Sequence, residues 1–348
     1  MNRVAHPATG NSSHLNLQAA ASNTDMSEKW KAADIPSLAG KRVIITGGNS
    51  GIGYHAALKL ARKGAEVVLA CRDRQRGEDA IARLHADSPG THTELAILDL
   101  ASLSSVRDFA KKELAQHRPL HILINNAGVM APPRRLQTAD GFELQFGTNV
   151  LGHFALTALL TSALEQAAAA SPDRPRIVTI ASIAHKRGRL NFDDLHSTKI
   201  YSPMGAYQQS KLANLILAFE FDRRLRAANS RVMSLAAHPG VASTNLFQVG
   251  DRSPFEKTLR NLLGHAIGIF LNTDSEGALP TLYAATAPDA EDGGYYGPQG
   301  FQEMRGDNVD RAIVAPQARD ASAAARLWQT CEDLTGIKFL SPSTSVLH

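Results

Sequence analysis

The chain has 348 residues, 43% hydrophobic and 20% charged, with a formal net charge of +4 and a pI of about 9.1. That balance suits a large globular core, and no basic run is long enough for a nucleic-acid tail. The two cysteines, Cys71 and Cys331, are far apart and offer neither a disulfide framework nor a cysteine metal site.

Residues 1–35 are polar and aperiodic, and are expected to form a disordered extension before a single domain over 36–340. No apolar core of a signal peptide opens the chain, and no stretch nears the ~18 apolar residues of a membrane span. A cytoplasmic location is therefore expected.

From Lys41, short apolar runs alternate with longer amphipathic stretches. Val43–Thr46 reads as a strand, and Ile52–Lys63 as a helix closed by Gly64. Val67–Cys71 is a second strand, followed by a helix over 74–87. Leu95–Leu98 is a third strand, then a helix over 103–117. Ile122–Ile124 is a fourth, followed by one long helix over 141–170. Ile177–Ile180, a helix over 205–228 and a strand over 232–236 come next. Beyond Pro239 the pattern loosens. One helix is expected over 275–285, a short last strand over 293–296 and a final helix over 318–334. Strands that are apolar throughout are buried on both faces, as in parallel sheets covered by helices. The fold class is thus α/β, a doubly wound parallel sheet.

The first strand runs into Gly47-Gly48-Asn49-Ser50-Gly51-Ile52-Gly53, which opens a helix. Glycines let the backbone approach a pyrophosphate, and the helix N-terminus offers N–H groups to that anion. Gly47, Gly51 and Gly53 carry these roles, Ser50 adds a hydroxyl, and Asn49 and Ile52 line the same turn. At the end of the second strand, an NAD site places an acid that binds the ribose 2′-OH. Cys71 stands there instead, with Arg72 next. A guanidinium pairs with a 2′-phosphate, so the expected cofactor is NADP(H) rather than NAD, although Asp73 is close by.

Tyr207 and Lys211 are four apart, on one helix face. A phenol near pKa 10 is a poor base at neutral pH, and a neighbouring ammonium brings it closer to the working range. Ser182 ends the fifth strand, and the carboxyl ends of strands in such sheets are where ligands bind. It is expected to hydrogen-bond the substrate oxygen.

The T-G-x-x-x-G-x-G spacing, with Ser182 and Tyr207-x-x-x-Lys211 in order, resembles the short-chain dehydrogenase/reductase family over roughly 41–244. The resemblance implies a Rossmann-like domain of about seven strands. It implies that Asp99 and Leu100 contact the adenine, and that Asn126, Ala127 and Gly128 border the cofactor. It assigns Asn149 to a water that links Lys211 to solvent, and Pro239, Gly240 and Thr244 to a loop over the nicotinamide. Lys211 would also hold the nicotinamide ribose. Ala184-His185, the stretch 190–195 and Ser210-Lys211-Leu212-Ala213-Asn214 are similar to retinol dehydrogenases and to the oxidoreductase domain of WW-domain oxidoreductases.

The expected activity is hydride transfer between NADP(H) and a carbonyl or alcohol substrate of lipophilic character, with no metal, in a homo-oligomer. Phe247, Phe255 and Phe270 are read as core residues or as the lining of a lipophilic pocket. His153, His185 and His238 make no metal pattern and are read as structural hydrogen-bonders. Two rival readings are a dinucleotide-sensing regulator without turnover and a sugar-nucleotide epimerase or dehydratase. The regulator predicts a lost tyrosine or lysine, and both are present. The epimerase predicts a different glycine spacing and a tightly held NAD.

Overall fold

The computed structural model describes residues 29–241 and 273–340. Thr244, Phe247, Phe255 and Phe270 lie outside the described residues. An eight-stranded sheet runs in the order β3-β2-β1-β4-β5-β6-β7-β8. Its strands are β1 (Arg42–Thr46), β2 (Glu66–Cys71), β3 (Thr93–Ile97), β4 (Ile122–Asn125), β5 (Arg176–Ile180), β6 (Met233–Ala237), β7 (Tyr295–Pro298) and β8 (Val309–Arg311). The first seven are parallel, and β8 is antiparallel to β7. That is one strand more than the expected seven. The Val-Asp-Arg sequence of β8 exposes two of its three residues, so an apolar-run criterion passes over it.

Alternation within a buried strand builds two cores. In β1, Ile44 packs on one face of the sheet while Val43 and Ile45 pack on the other. The first face is covered by α3 (Leu103–Ala115), α4 (Gly152–Ala170), α5 (Pro203–Ala227) and α8 (Ala321–Thr335). The second is covered by α1 (Gly51–Arg62), α2 (Arg74–Asp87) and α7 (Leu279–Thr286), which follows the short α6 (Asp274–Gly277). Among the described residues, no helix is long and apolar enough to cross a membrane.

Several boundaries differ from the expected ones. Trp30 meets Tyr283 edge-on at 5.3 Å and Ile35 is buried, so ordered packing starts before residue 36. The helix expected from residue 141 begins at Leu144–Phe146 and passes through a π turn, Gly147–Leu151, into α4. The helix expected over 275–285 is split into α6 and α7. Pro280 has no N–H for the carbonyl four residues back. The third strand starts at Thr93 rather than Leu95, because β3 is an edge strand whose residues are only partly covered.

Candidate active site

The C-terminal ends of β1, β4, β5 and β6 converge where the strand order reverses, between β1 and β4. This is where α/β sheets open a ligand crevice. Gly47 and Gly51 adopt φ of 67° and 57°, a left-handed conformation that glycine takes without strain. At Gly53 a Cβ would sit 2.5 Å from Asn126 Nδ2 and 2.6 Å from the Gly47 carbonyl. The turn therefore closes tightly on itself. Ser50 precedes α1 and makes no side-chain bond to the first-turn amides, which suits an anion at that helix end.

Thr46 ties this turn to the fourth strand. Its hydroxyl oxygen accepts the N–H groups of Asn126 and Ala127, each at 2.9 Å, and Asn126 Nδ2 donates back to the Thr46 carbonyl at 2.8 Å. His153 Nε2 lies 2.9 Å from the same hydroxyl, and His153 Nδ1 lies 3.1 Å from the Asn149 carbonyl. Burial pulls His153 down to about 4, so the ring is neutral. Its Nδ1–H donates to Asn149, and its Nε2 accepts from Thr46.

Cys71 is buried, and its thiol accepts from the backbone of Gly48 and Asn49, while burial pushes it up to about 11. Its side chain supports the glycine turn. Arg72 is exposed, and among the described residues it has no ion-pair or hydrogen-bond partner. Asp73 is occupied as the N-cap of α2, accepting the Arg76 N–H. Asp99 Oδ1 accepts the Ala101 N–H at 2.9 Å, and Leu100 is buried under Gly152.

Tyr207, Lys211 and Asn149 are all buried. The Tyr207 phenol shares a hydrogen bond with Ser182. Burial pushes the phenol up to about 12, and the Ser182 bond pulls against that. Lys211 Nζ donates to the Ile180 carbonyl at 2.8 Å and lies 5.9 Å from the Tyr207 ring centre. Burial pulls Lys211 down to about 8. The expected lowering of the phenol by the ammonium is not found: desolvation raises the phenol, and the bond to Ser182 is what opposes it.

Asn149 sits in the π turn, a feature that often marks functional sites. Its carboxamide accepts the Val129 N–H at 2.8 Å and donates to the Val129 carbonyl and to Ser210 Oγ, each at 3.0 Å. Ser210 Oγ in turn donates to the Tyr207 carbonyl at 2.8 Å. A Cβ on Gly128 would lie 3.3 Å from Asn149 Oδ1 and 3.8 Å from Lys211 Nζ. Gly128 thus lets the chain pass beside the lysine. Pro239 and Gly240 follow β6. The Gly240 N–H donates to His238 Nδ1 at 3.1 Å.

The structure therefore brings together Ser182, Tyr207, Lys211, Asn149 and the glycine turn. Sequence reasoning gave no site role to Thr46, His153 or Ser210. Their sequence signal was adjacency to motif residues, with polar side chains inside otherwise apolar elements.

A family model for short chain dehydrogenases matches residues 41–252. Mouse retinol dehydrogenase 12 is 40% identical over 87% of this chain and 88% of its own. A crystal structure of an uncharacterised protein from Mycobacterium paratuberculosis, 40% identical, superposes with a TM-score of 0.70, covering 90% of this chain and 99% of that one. A protein from Beutenbergia cavernae assigned as an NAD(P)-dependent gluconate 5-dehydrogenase, solved with bound NADP, is 26% identical. It gives a TM-score of 0.55, covering 74% of this chain and 95% of that one.

Proposed function

The chain belongs to the short chain dehydrogenase family, on the retinol dehydrogenase branch, and from that premise we propose that it moves hydride between NADP(H) and a lipophilic carbonyl or alcohol through Ser182, Tyr207, Lys211 and Asn149. It is an NAD(P)-dependent oxidoreductase acting on alcohols. The observation that carries the mechanism is the buried Tyr207 phenol bonded to Ser182, with Lys211 one helical turn along.

The bound dinucleotide supplies or accepts the hydride. Gly47, Gly51 and Gly53 and the α1 amides hold its pyrophosphate, with Asn49, Ser50 and Ile52 in the same turn. Arg72 pairs with the 2′-phosphate; its lack of a partner among the described residues and the engagement of Asp73 support that reading. Asp99 and Leu100 border the adenine. Asn126, Ala127 and Gly128 border the cofactor, and Pro239 and Gly240 belong to the loop beside the nicotinamide.

In reduction, Ser182 holds the carbonyl oxygen and Tyr207 donates its O–H proton as the oxygen becomes an alkoxide. A phenol held at about 12 stays protonated at neutral pH, which suits that role. Lys211 has three N–H donors. One reaches Ile180, and the others serve the nicotinamide ribose and the charge on Tyr207. Asn149 holds Ser210 and a water on the path from Lys211 to solvent. The lipophilic substrate class rests on the retinol dehydrogenase relatives. A cytoplasmic, homo-oligomeric enzyme completes the proposal, checked by cell fractionation and by light scattering.

The test is a nicotinamide-absorbance screen of all-trans-retinal, decanal, steroid ketones and their alcohols with NADP(H) and NAD(H). Turnover of a lipophilic carbonyl with NADPH is expected. Equal or better rates with NADH would overturn the cofactor assignment. Tight cofactor binding with no turnover across the panel would favour the regulator.

A further inference from the structure

His185 is fully buried three residues beyond Ser182. Its Nδ1 lies 2.7 Å from the Ser182 carbonyl, and its Nε2 accepts the Ala315 N–H at 3.2 Å. A carbonyl only accepts and an N–H only donates. The two contacts therefore fix one neutral tautomer, with the proton on Nδ1. The Tyr295 hydroxyl lies 3.4 Å from Nδ1, and the two rings meet edge-on at 5.4 Å. Burial holds the imidazole below its ordinary value, so this tautomer persists across the working range.

The Ser182 carbonyl also accepts the His185 N–H at 3.0 Å. Among the described residues, the Ser182 hydroxyl is anchored by the Ala184 N–H at 3.2 Å and by Tyr207. The far side of the ring is bolted to the chain leaving β8. There Gln317 Nε2 also donates to the carbonyls of His185, Lys186 and Gly188, at 3.3, 3.0 and 3.3 Å. The antiparallel edge of the sheet is thereby connected to the serine that faces the reaction.

We propose that His185 is a positioning residue: its Nδ1–H, kept in that tautomer by the Ala315 N–H on Nε2, fixes the Ser182 backbone and so aims the Ser182 hydroxyl at the substrate oxygen. This rests on the role given to Ser182 above. The ring touches neither substrate nor cofactor and does no proton transfer. Its effect belongs to orientation, where about an ångström of misplacement costs on the order of 100-fold in rate.

Two variants separate the ends of the ring. Asparagine places an amide N–H near Nδ1 and keeps the bond to Ser182. Glutamine reaches the Nε2 position, keeps an acceptor for Ala315 and loses the Ser182 bond. With NADPH and the faster of all-trans-retinal and decanal, His185→Gln is expected to lower kcat by about 30- to 100-fold. The NADPH Kd from fluorescence titration should be unchanged and KM little changed. His185→Asn should stay within about fivefold of wild type in kcat. In a Ser182→Ala background, His185→Gln should change kcat by less than about twofold, since no hydroxyl is left to aim.

Equal losses in the two variants, or the same loss with and without Ser182, would reduce His185 to packing and overturn the proposal. If the wild type reduced neither aldehyde, the proposed function would fail first. The inference would then stand or fall on imidazole 15N shifts of the full chain. A proton on Nδ1 supports it, and a proton on Nε2 overturns it.

Discussion

Gly53→Ala tests the cofactor cradle in isolation. The added methyl would lie 2.5 Å from Asn126 Nδ2, 2.6 Å from the Gly47 carbonyl oxygen and 3.2 Å from its carbon. Ordinary contacts are nearer 3.5 Å, so the neighbours must retreat by roughly 1 Å. None of them is a free side-chain end. Asn126 Nδ2 is bonded to the Thr46 carbonyl, and Gly47 is the left-handed start of the turn. Overpacking of this kind costs about 1–3 kcal/mol. If the strain falls on the cofactor-bearing geometry, NADPH affinity drops about 5- to 150-fold, at 1.4 kcal/mol per tenfold. The assay is NADPH fluorescence titration beside urea unfolding. Gly90→Ala is the control: it carries φ +81° but has nothing within 4 Å of its Cβ. It should lose about 1–2 kcal/mol of stability and leave the NADPH Kd unchanged. A Gly53→Ala protein that binds NADPH as tightly as wild type would refute the cradle.

Arg72→Asp should move the ratio of NADPH to NADH efficiency toward NADH by at least about tenfold, from loss of a charge-assisted pair; a steady-state comparison showing no shift would remove the 2′-phosphate contact. Lys211 titrates at about 8 in the fold against 10.5 when free. Between those values the unfolded chain binds more protons, so this group makes stability rise with pH there. Tyr207, raised to about 12 from 10.0, works the opposite way above pH 10. Urea titrations from pH 8 to 10 should therefore show a shallower rise for Lys211→Met than for wild type, and identical slopes would contradict the buried-amine assignment. His153 and His238 are held down to about 4 and about 3. The unfolded chain gains their protons first as pH falls below 6.5, so unfolding midpoints should drop from pH 6.5 to 4, and less steeply in His153→Gln. Trp328 is packed against Phe154, Phe221 and Phe339, and Trp328→Ala should cost about 3–5 kcal/mol in urea unfolding.

What was legible in the sequence follows from how far apart the cooperating atoms lie. The parallel strands announce themselves because Val43-Ile44-Ile45 and Val67-Val68-Leu69 are buried on both faces. β8 and the start of β3 are edge positions, where a polar residue costs little, so hydropathy has nothing to report there. The helix at 203–227 begins two residues before its expected start because Pro203 sits in its first turn behind the Ser202 cap. In the site, Tyr207 and Lys211 share one helix, so their spacing is readable. Ser182 and the glycine turn are readable as strand ends. His185 becomes meaningful only once Ala315, 130 residues away, closes on its ring, and no local pattern encodes that approach. The same is true of Thr46, which is joined to Ala127 across 81 residues.

Tyr207 is the proposed donor of the proton. The most direct measurement is single-turnover reduction of all-trans-retinal or decanal by Tyr207→Phe with saturating NADPH, beside an NADPH titration of the same protein. Removal of the proton donor should slow the chemical step by about 100-fold or more with the NADPH Kd within about twofold of wild type. A phenylalanine variant that reduces the aldehyde at the wild-type rate would contradict the claim.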